Sequence, residues 1–381
     1  MQTHLNSRRY DLDWLRIIAF GFLIFYHIGM FYVEWDWHVK SVHKSDAAEP
    51  LMRLLNPWRL ALLFFISGVA LRFAMDKAKI RSFIWKRFWR LFIPLVFGIH
   101  VIVAPQSWLQ LLESGEINSG FWQFYPEYLI GSHEYSVTIP TWNHLWYVIY
   151  LLIYTLLLAP LAKPLSRFMT GRGAIITGYL FSYSWMVLIV PVLPYLIYRV
   201  YLIPYFPTTH DVVNDWANHA HSFTILLTGF LLAKDEAFWT SITRVFKLAL
   251  ACAVTLGLTL TLTWNNWDSI AAGETWLWPA RFARVFYIWI VIVALLGAAQ
   301  TWLNRPSRLV TYMTEAIFPW YILHQTLIIV AGYWLTRRGL SAGIEFLGVT
   351  LATFGGCLVL HEVFIRKSRL LRPFFGLKSK S

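Results

Sequence analysis

Apolar runs long enough to cross a bilayer recur along almost the whole of this 381-residue chain, and they leave few architectures open. About ten can be read, at residues 14–33, 57–75, 91–112, 144–162, 174–195, 218–233, 246–263, 278–300, 312–336 and 342–364. Each lies close to the roughly 17 to 25 residues that a spanning helix needs, the sixth being the shortest. The runs are continuous instead of alternating, and lipid offers no partner to an unpaired backbone group, so helices are expected and barrel strands are not. Only 14% of the residues are charged against 57% hydrophobic, too few to coat a soluble domain. The first run is too long for a signal-peptide core and no small-residue cleavage site follows it, so it is expected to stay as a span.

The chain carries 33 Lys+Arg against 20 Asp+Glu, a net charge of +13. In a soluble protein that surplus would suggest nucleic acid, but a membrane protein needs basic loops for orientation. Placing both ends inside puts Arg8, Arg9, the cluster from Lys77 to Arg90, Lys163, Arg167, Arg172, Lys234, Arg244, Lys247, Arg305, Arg308 and the tail from Arg366 to Lys380 on one side. The expectation is therefore an all-α polytopic membrane protein of about ten transmembrane helices with both termini cytoplasmic. A cytoplasmic segment at residues 1–13 leads into one membrane domain at 14–364, and a basic cytoplasmic tail fills 365–381. Membrane lipids are implied as partners and nucleic acid is not. Cys252 and Cys357 both lie in apolar runs, so neither a disulfide framework nor a metal ligand set is expected. The expected outer loops, 113–141 and 196–217, hold acids among many Trp, Tyr and Pro. Aromatic faces suit sugar rings, and an interfacial aromatic belt accounts for them as well.

A titratable side chain inside lipid is costly, so each one is a candidate for a pathway or a site. The first run holds Arg16 near its cytoplasmic start and, after ten intervening residues, His27 in its outer half. Eleven helical steps separate them by about 16 Å on nearly one face. A pantetheine arm anchored by its nucleotide at the cytoplasmic mouth can run along such a face and offer its thioester to the imidazole. His27 would then act as general base toward a sugar hydroxyl; a helix-packing histidine is the plainer reading. Arg59 near the outer end of the second run can hold an oxyanion or carboxylate, or snorkel to headgroups. Ser67 and Gly68 in the same run permit close helix approach. Lys86, Arg87 and Arg90 form a cationic patch fit for CoA phosphates, and positive-inside signalling produces the same charges. His144 and Trp146 open the fourth run, Arg281 and Arg284 open the eighth, and His324 lies in the ninth. Convergence on one outward-facing cavity is one reading of these residues. Pairing of the arginines with Asp268 or Glu274 is another.

Taken together, these residues resemble the acyltransferase 3 family of membrane O-acyltransferases, marked by Arg, ten residues and His in the first span. Further matching segments are Leu12-Asp13-Trp14-Leu15-Arg16, Phe64-Phe65-Ile66-Ser67-Gly68, Arg87, Arg90 and Pro94, His144-Leu145-Trp146, Gly229-Phe230-Leu231-Leu232 and Tyr321-Ile322-Leu323-His324. Trp37-His38-Val39, Glu362 to Arg366, and Phe374-Phe375-Gly376 are similar to members of that family that modify periplasmic glucans. The resemblance implies His27 as the catalytic residue, with Arg16 completing the family's catalytic motif on the donor side, and Arg87 and Arg90 as donor-binding groups. It implies acyl-CoA, succinyl or acetyl, as a donor substrate with no permanently bound cofactor, and a glucan or other polysaccharide as acceptor at the bacterial inner membrane. Arg59, Ser67, His144, Trp146, His324, Arg281 and Arg284 are the expected acceptor- or acyl-binding residues. No soluble transferase domain is visible, so donor and acceptor are both expected to meet the membrane domain. The rival classes are a secondary transporter and a non-catalytic partner in glucan export. Coupled carriers usually keep carboxylates near the midplane, whereas Glu315, Glu345 and Glu362 fall near helix ends.

Overall fold

A computed structural model describes residues 8–77, 79–272 and 276–379. The helices, in order, are α1 (Tyr10–Tyr32), α2 (Glu49–Lys77), α3 (Ile80–Phe97), α4 (Ala104–Glu113), α5 (Phe121–Ile130), α6 (Trp146–Thr170), α7 (Arg172–Leu180) and α8 (Leu193–Tyr201). They continue with α9 (Trp216–Leu232), α10 (Glu236–Asn265), α11 (Trp267–Ala272), α12 (Leu277–Trp302), α13 (Arg308–Leu335), α14 (Ala342–Val359) and α15 (Leu371–Phe374). No strand forms among the described residues beyond an isolated bridge between Ser132 and Ile139. Nine helical stretches among the described residues are long and apolar enough to cross a membrane, so the chain is an all-α polytopic membrane protein. The sixth expected run is α9, which at 17 residues sits at the lower limit for a span.

Two expected runs divide into more than one α-helix, with prolines among the segments of each. The third is α3 and α4 joined by a π turn at Gly98–Ile102, with Pro94 inside α3 and Pro105 opening α4. The fifth, expected at 174–195, divides into α7, two 3₁₀ turns and α8, and its long apolar stretch lies later, at Ser184–Tyr201. Pro191 and Pro194 stand at helix starts, where a missing N–H costs nothing.

Two compact units are built from interleaved segments. One comprises the chain up to Ala19, Arg53–Ile84 and Ile153–Val310; the other comprises Phe20–Met52, Trp85–Leu152 and Thr311 onward. In the first unit α2 and α9 touch backbone to backbone. A Cβ at Gly68 would stand 1.9 Å from the Leu226 carbonyl oxygen, and one at Gly229 would stand 2.1 Å from that of Phe65. Lipid tails are as apolar as leucine, so such close packing and hydrogen bonding, more than the hydrophobic effect, hold the helices together. Trp289 illustrates both, its ring set edge-on against Phe65 and its Nε1–H donating to the Val187 carbonyl at 2.7 Å.

In the second unit, the expected outer loop 113–141 contains α5 and packs rather than dangling. Ala104, Leu111, Ile117, Phe124, Tyr128 and Ile139 form a small buried cluster. The π turn supplies its anchor points, because its widened register turns carbonyls outward. Those of Ile99 and His100 accept from the hydroxyls of Tyr128 and Tyr125 at 2.7 and 3.2 Å. The tail folds back as α15, with Arg372 donating to Glu315 at 3.1 Å and Arg90 donating to the Gly376 carbonyl at 2.9 Å.

Gly229→Ala is expected to lower the stability of the detergent-solubilised protein by about 1–3 kcal/mol or more, because the added methyl must push the α2 and α9 backbones apart. Gly355→Ala, where an added Cβ meets nothing within 4 Å, is the control; equal melting temperatures for the two variants would contradict the contact.

Candidate active site

Helix α1 turns one face to lipid. Ile18, Phe22 and Phe25 are its exposed large apolar residues, at 36%, 40% and 49%, and they recur at the spacing of a single stripe. His27 is half-buried and lies on the opposite side of the helix, nine positions from Ile18. Arg16, also half-buried, shares that polar side but belongs to the first unit, whereas His27 belongs to the second.

Within the second unit, His27 meets α13. Its Nδ1 lies 2.8 Å from Nε2 of His324, with the rings stacked at 5.0 Å and 6°. His324 is fully buried, and its own Nδ1 lies 2.7 Å from the Tyr321 carbonyl oxygen. A carbonyl only accepts, so His324 Nδ1 must carry the proton. In its neutral form His324 then presents a bare Nε2, His27 donates to it through Nδ1–H, and His27 Nε2 is left with its lone pair. One backbone carbonyl thus orients the tautomers of two imidazoles.

His144 completes the group. It is buried in the 3₁₀ turn Asn143–Leu145 that leads into α6, its Nε2 donates to the Ile322 carbonyl at 3.1 Å, and its ring stands edge-on to His324 at 5.1 Å. The Tyr321 hydroxyl donates back to the His144 carbonyl. Trp146, half-buried, lies edge-on to Tyr150 at 5.1 Å. Asn143 holds φ at +39°, a left-handed conformation that asparagine tolerates better than most residues.

Beside these rings runs a polar network in which His38, part of a family-like segment of the sequence, meets carboxamides that the sequence did not single out. His38 Nδ1 donates to Gln110 Oε1 at 2.5 Å, and His38 Nε2 accepts from Gln325 Nε2 at 3.0 Å. Gln325 Nε2 also donates to Gln106 Oε1 at 3.0 Å, which accepts from Asn143 Nδ2 at 2.9 Å. Gln106 Nε2 donates to the Thr326 hydroxyl at 2.7 Å, and that hydroxyl donates to the Ile102 carbonyl of the π turn at 2.6 Å. Donors and acceptors alternate without conflict, which rigidifies a buried network. Lys40 holds the loop bearing His38, donating to the carbonyls of Met30 and Trp35 at 2.6 and 2.8 Å near the end of α1. The available signal was the amide pair Gln106 and Gln110, one helical turn apart in an apolar run, and Gln325 adjoining His324; carboxamides carry no charge and so do not stand out beside ionisable groups.

The remaining expected residues divide between the two units. Arg87 and Arg90 lie on α3 in the second unit, Arg90 exposed and donating to the Gly376 carbonyl. Arg59, Ser67, Arg281 and Arg284 belong to the first unit. Arg59 is buried and donates to Asn56 Oδ1 at 3.2 Å, while Arg281 and Arg284 line a cavity with Arg199 and His221. Glu274, considered as a partner for them, lies outside the described residues.

Helix α1 thus carries Arg16 and, after ten intervening residues, His27, whose imidazole meets that of His324. The chain is a member of the acyltransferase 3 family, whose acyltransferase-domain model matches residues 9–362, and it is an O-acyltransferase. It is similar to glucans biosynthesis protein C of Escherichia coli O139:H28 (strain E24377A / ETEC) and of Escherichia coli (strain K12). Each is 23% identical to it over 97% of this chain and 95% of the relative. No solved structure matches it.

Burial pushes the His38 imidazole below its ordinary value of 6.5, with the hydrogen bond to Gln110 opposing. The unfolded chain therefore takes up the proton first, and stability should fall as pH drops below 6.5 toward the depressed folded value, being intact above it. Melting temperatures at pH 7.5 and 5.5 should differ more for the wild type than for His38→Gln, which removes that titration; an unchanged difference would show that His38 does not titrate with unfolding.

Proposed function

We propose that the protein moves a succinyl or acetyl group from a cytoplasmic acyl-CoA to a hydroxyl of a periplasmic glucan or other polysaccharide. It does so from the bacterial inner membrane, with both termini in the cytoplasm and with His27 as general base. The observation that supports this reading is the contact of His27 Nδ1 with His324 Nε2, itself tied through Nδ1 to the Tyr321 carbonyl, which favours the neutral His27 tautomer with its lone pair on Nε2. The relatives' name speaks of glucan biosynthesis and supports a glucan as acceptor.

The acceptor hydroxyl gives its proton to His27 Nε2 as its oxygen attacks the thioester carbonyl carbon. Collapse of the tetrahedral adduct breaks the C–S bond, the ester stays on the sugar, and the leaving sulfur recovers the proton from the His27 imidazolium. While that cation exists, its Nδ1–H faces the His324 acceptor, so the bond strengthens when charge develops. His324 is thus a positioning residue. Arg16, Arg87 and Arg90 are assigned to the donor side, with the two α3 arginines suited to CoA phosphates. His144 and Trp146 are assigned to the acceptor side.

His27→Ala is expected to insert normally and to lower ester-linked acyl groups on the extracted polymer by about 10²-fold or more, read by mass spectrometry of the glycan. Unchanged ester content would remove the catalytic role and leave a transporter or an export partner. His324→Leu should lower kcat by about tenfold with little change in KM, because an acceptor is lost but substrate contacts are not. His324→Gln, whose amide oxygen can accept from His27 Nδ1–H, should recover some of that rate. A rise in KM at constant kcat would assign His324 to binding instead.

A further inference from the structure

The first unit holds a cavity of about 300 Å³ lined by, among others, Asn56, Arg199, Asn218, His221, Arg281 and Arg284. Three guanidiniums face one small volume, and no carboxylate is among its lining residues. The Arg199 Nε is buried and has no hydrogen-bond partner among the described residues. Arg281 lies 5.0 Å from the Trp278 ring centroid, a contact that orients a guanidinium without neutralising it.

The chemistry of an occupant follows from charge and size. A neutral sugar brings no charge to set against the three cations, and a single carboxylate brings one. A phosphate monoester brings up to about two negative charges and three strong acceptor oxygens, which guanidinium forks match. A volume of about 300 Å³ is at the small end of ligand pockets, enough for a headgroup and too little for a polysaccharide segment. Helix α8 adds a second observation. Arg199, Tyr195 and Tyr198 line the cavity, while Leu193, Ile197 and Tyr201, spaced by four, are exposed at 49%, 57% and 68%. One short helix therefore offers cation and hydroxyl to the cavity and an apolar stripe to the outside.

We propose that this cavity is a binding site for a phosphate ester, entering as the headgroup of an anionic lipid or as a free phosphate ester. In the lipid case the acyl chains follow the exposed stripe of α8. The site is independent of the acyl-transfer reading, and its readout is binding.

The test titrates thermal unfolding of the full chain in detergent with phosphatidic acid, glycerol 3-phosphate, phosphatidylcholine and succinate. Phosphatidic acid should stabilise the wild type saturably, phosphatidylcholine should not, and Arg281→Gln/Arg284→Gln should weaken the apparent affinity at least about tenfold. Arg281→Lys/Arg284→Lys should lose less, since charge is kept. Saturation by phosphatidic acid alone assigns the lipid headgroup, and equal saturation by glycerol 3-phosphate assigns the free ester; both support the site. Should the Gln pair fail to fold, Arg199→Gln makes the same comparison. Equal stabilisation by phosphatidylcholine, succinate binding as tightly as the phosphates, or phosphate binding that ignores the arginines would overturn the proposal.

Discussion

Lipid supplies no hydrogen bonds, so every polar group carried into a spanning helix must find its partner in the protein. That constraint organises the second unit. The Tyr321 carbonyl, already within a helix, also accepts from His324 Nδ1, and everything downstream follows from that proton's address. In water the same rings would exchange tautomers freely through solvent. Here the direction of donation is set from a backbone atom outward, through His324 to His27.

The carboxamide network has a related character. Gln106, Gln325 and Asn143 each carry both a donor and an acceptor, so they can satisfy one another without introducing charge into an apolar layer. Their cost is geometric, because each must point correctly. The π turn at Gly98–Ile102 serves that need. A regular helix keeps its carbonyls engaged along its own axis, whereas the widened turn shares those of Ile99, His100 and Ile102 with side chains from elsewhere in the unit. An irregularity flanked by Pro94 and Pro105 therefore becomes the fixture on which α5 and Thr326 are hung.

The first unit solves a different problem. Gly68 and Gly229 bring two helices to backbone contact, which gives dense packing without polar groups, while three of its arginines line one cavity near the start of α12. A carboxamide network beside the imidazoles in one unit and three arginines lining a cavity in the other are distinct electrostatic designs. The first suits proton movement at an imidazole, and the second suits the holding of an anion.

Much of this was legible in the residues themselves. Continuous apolar runs dictated spanning helices, because hydropathy is a sum over neighbours in the chain. The Arg16/His27 spacing marked one polar side of α1, because helical periodicity is local as well. Ser67-Gly68 announced close helix approach for the same reason. Prolines that interrupt the third and fifth runs were visible too, but whether they end a helix or open the next depends on where the chain must travel. The partner of His27 was not legible: His324 lies 297 residues away, and no local rule pairs two imidazoles at that distance. Nor could spacing join Arg199 and His221 to Arg281 and Arg284, or find neutral amides that matter only through what they touch. The sequence by itself determined which side chains enter the membrane and on which helical face; tertiary structure alone decided which of them meet, because a hydrogen bond is a relation between atoms in space and not between positions in a chain.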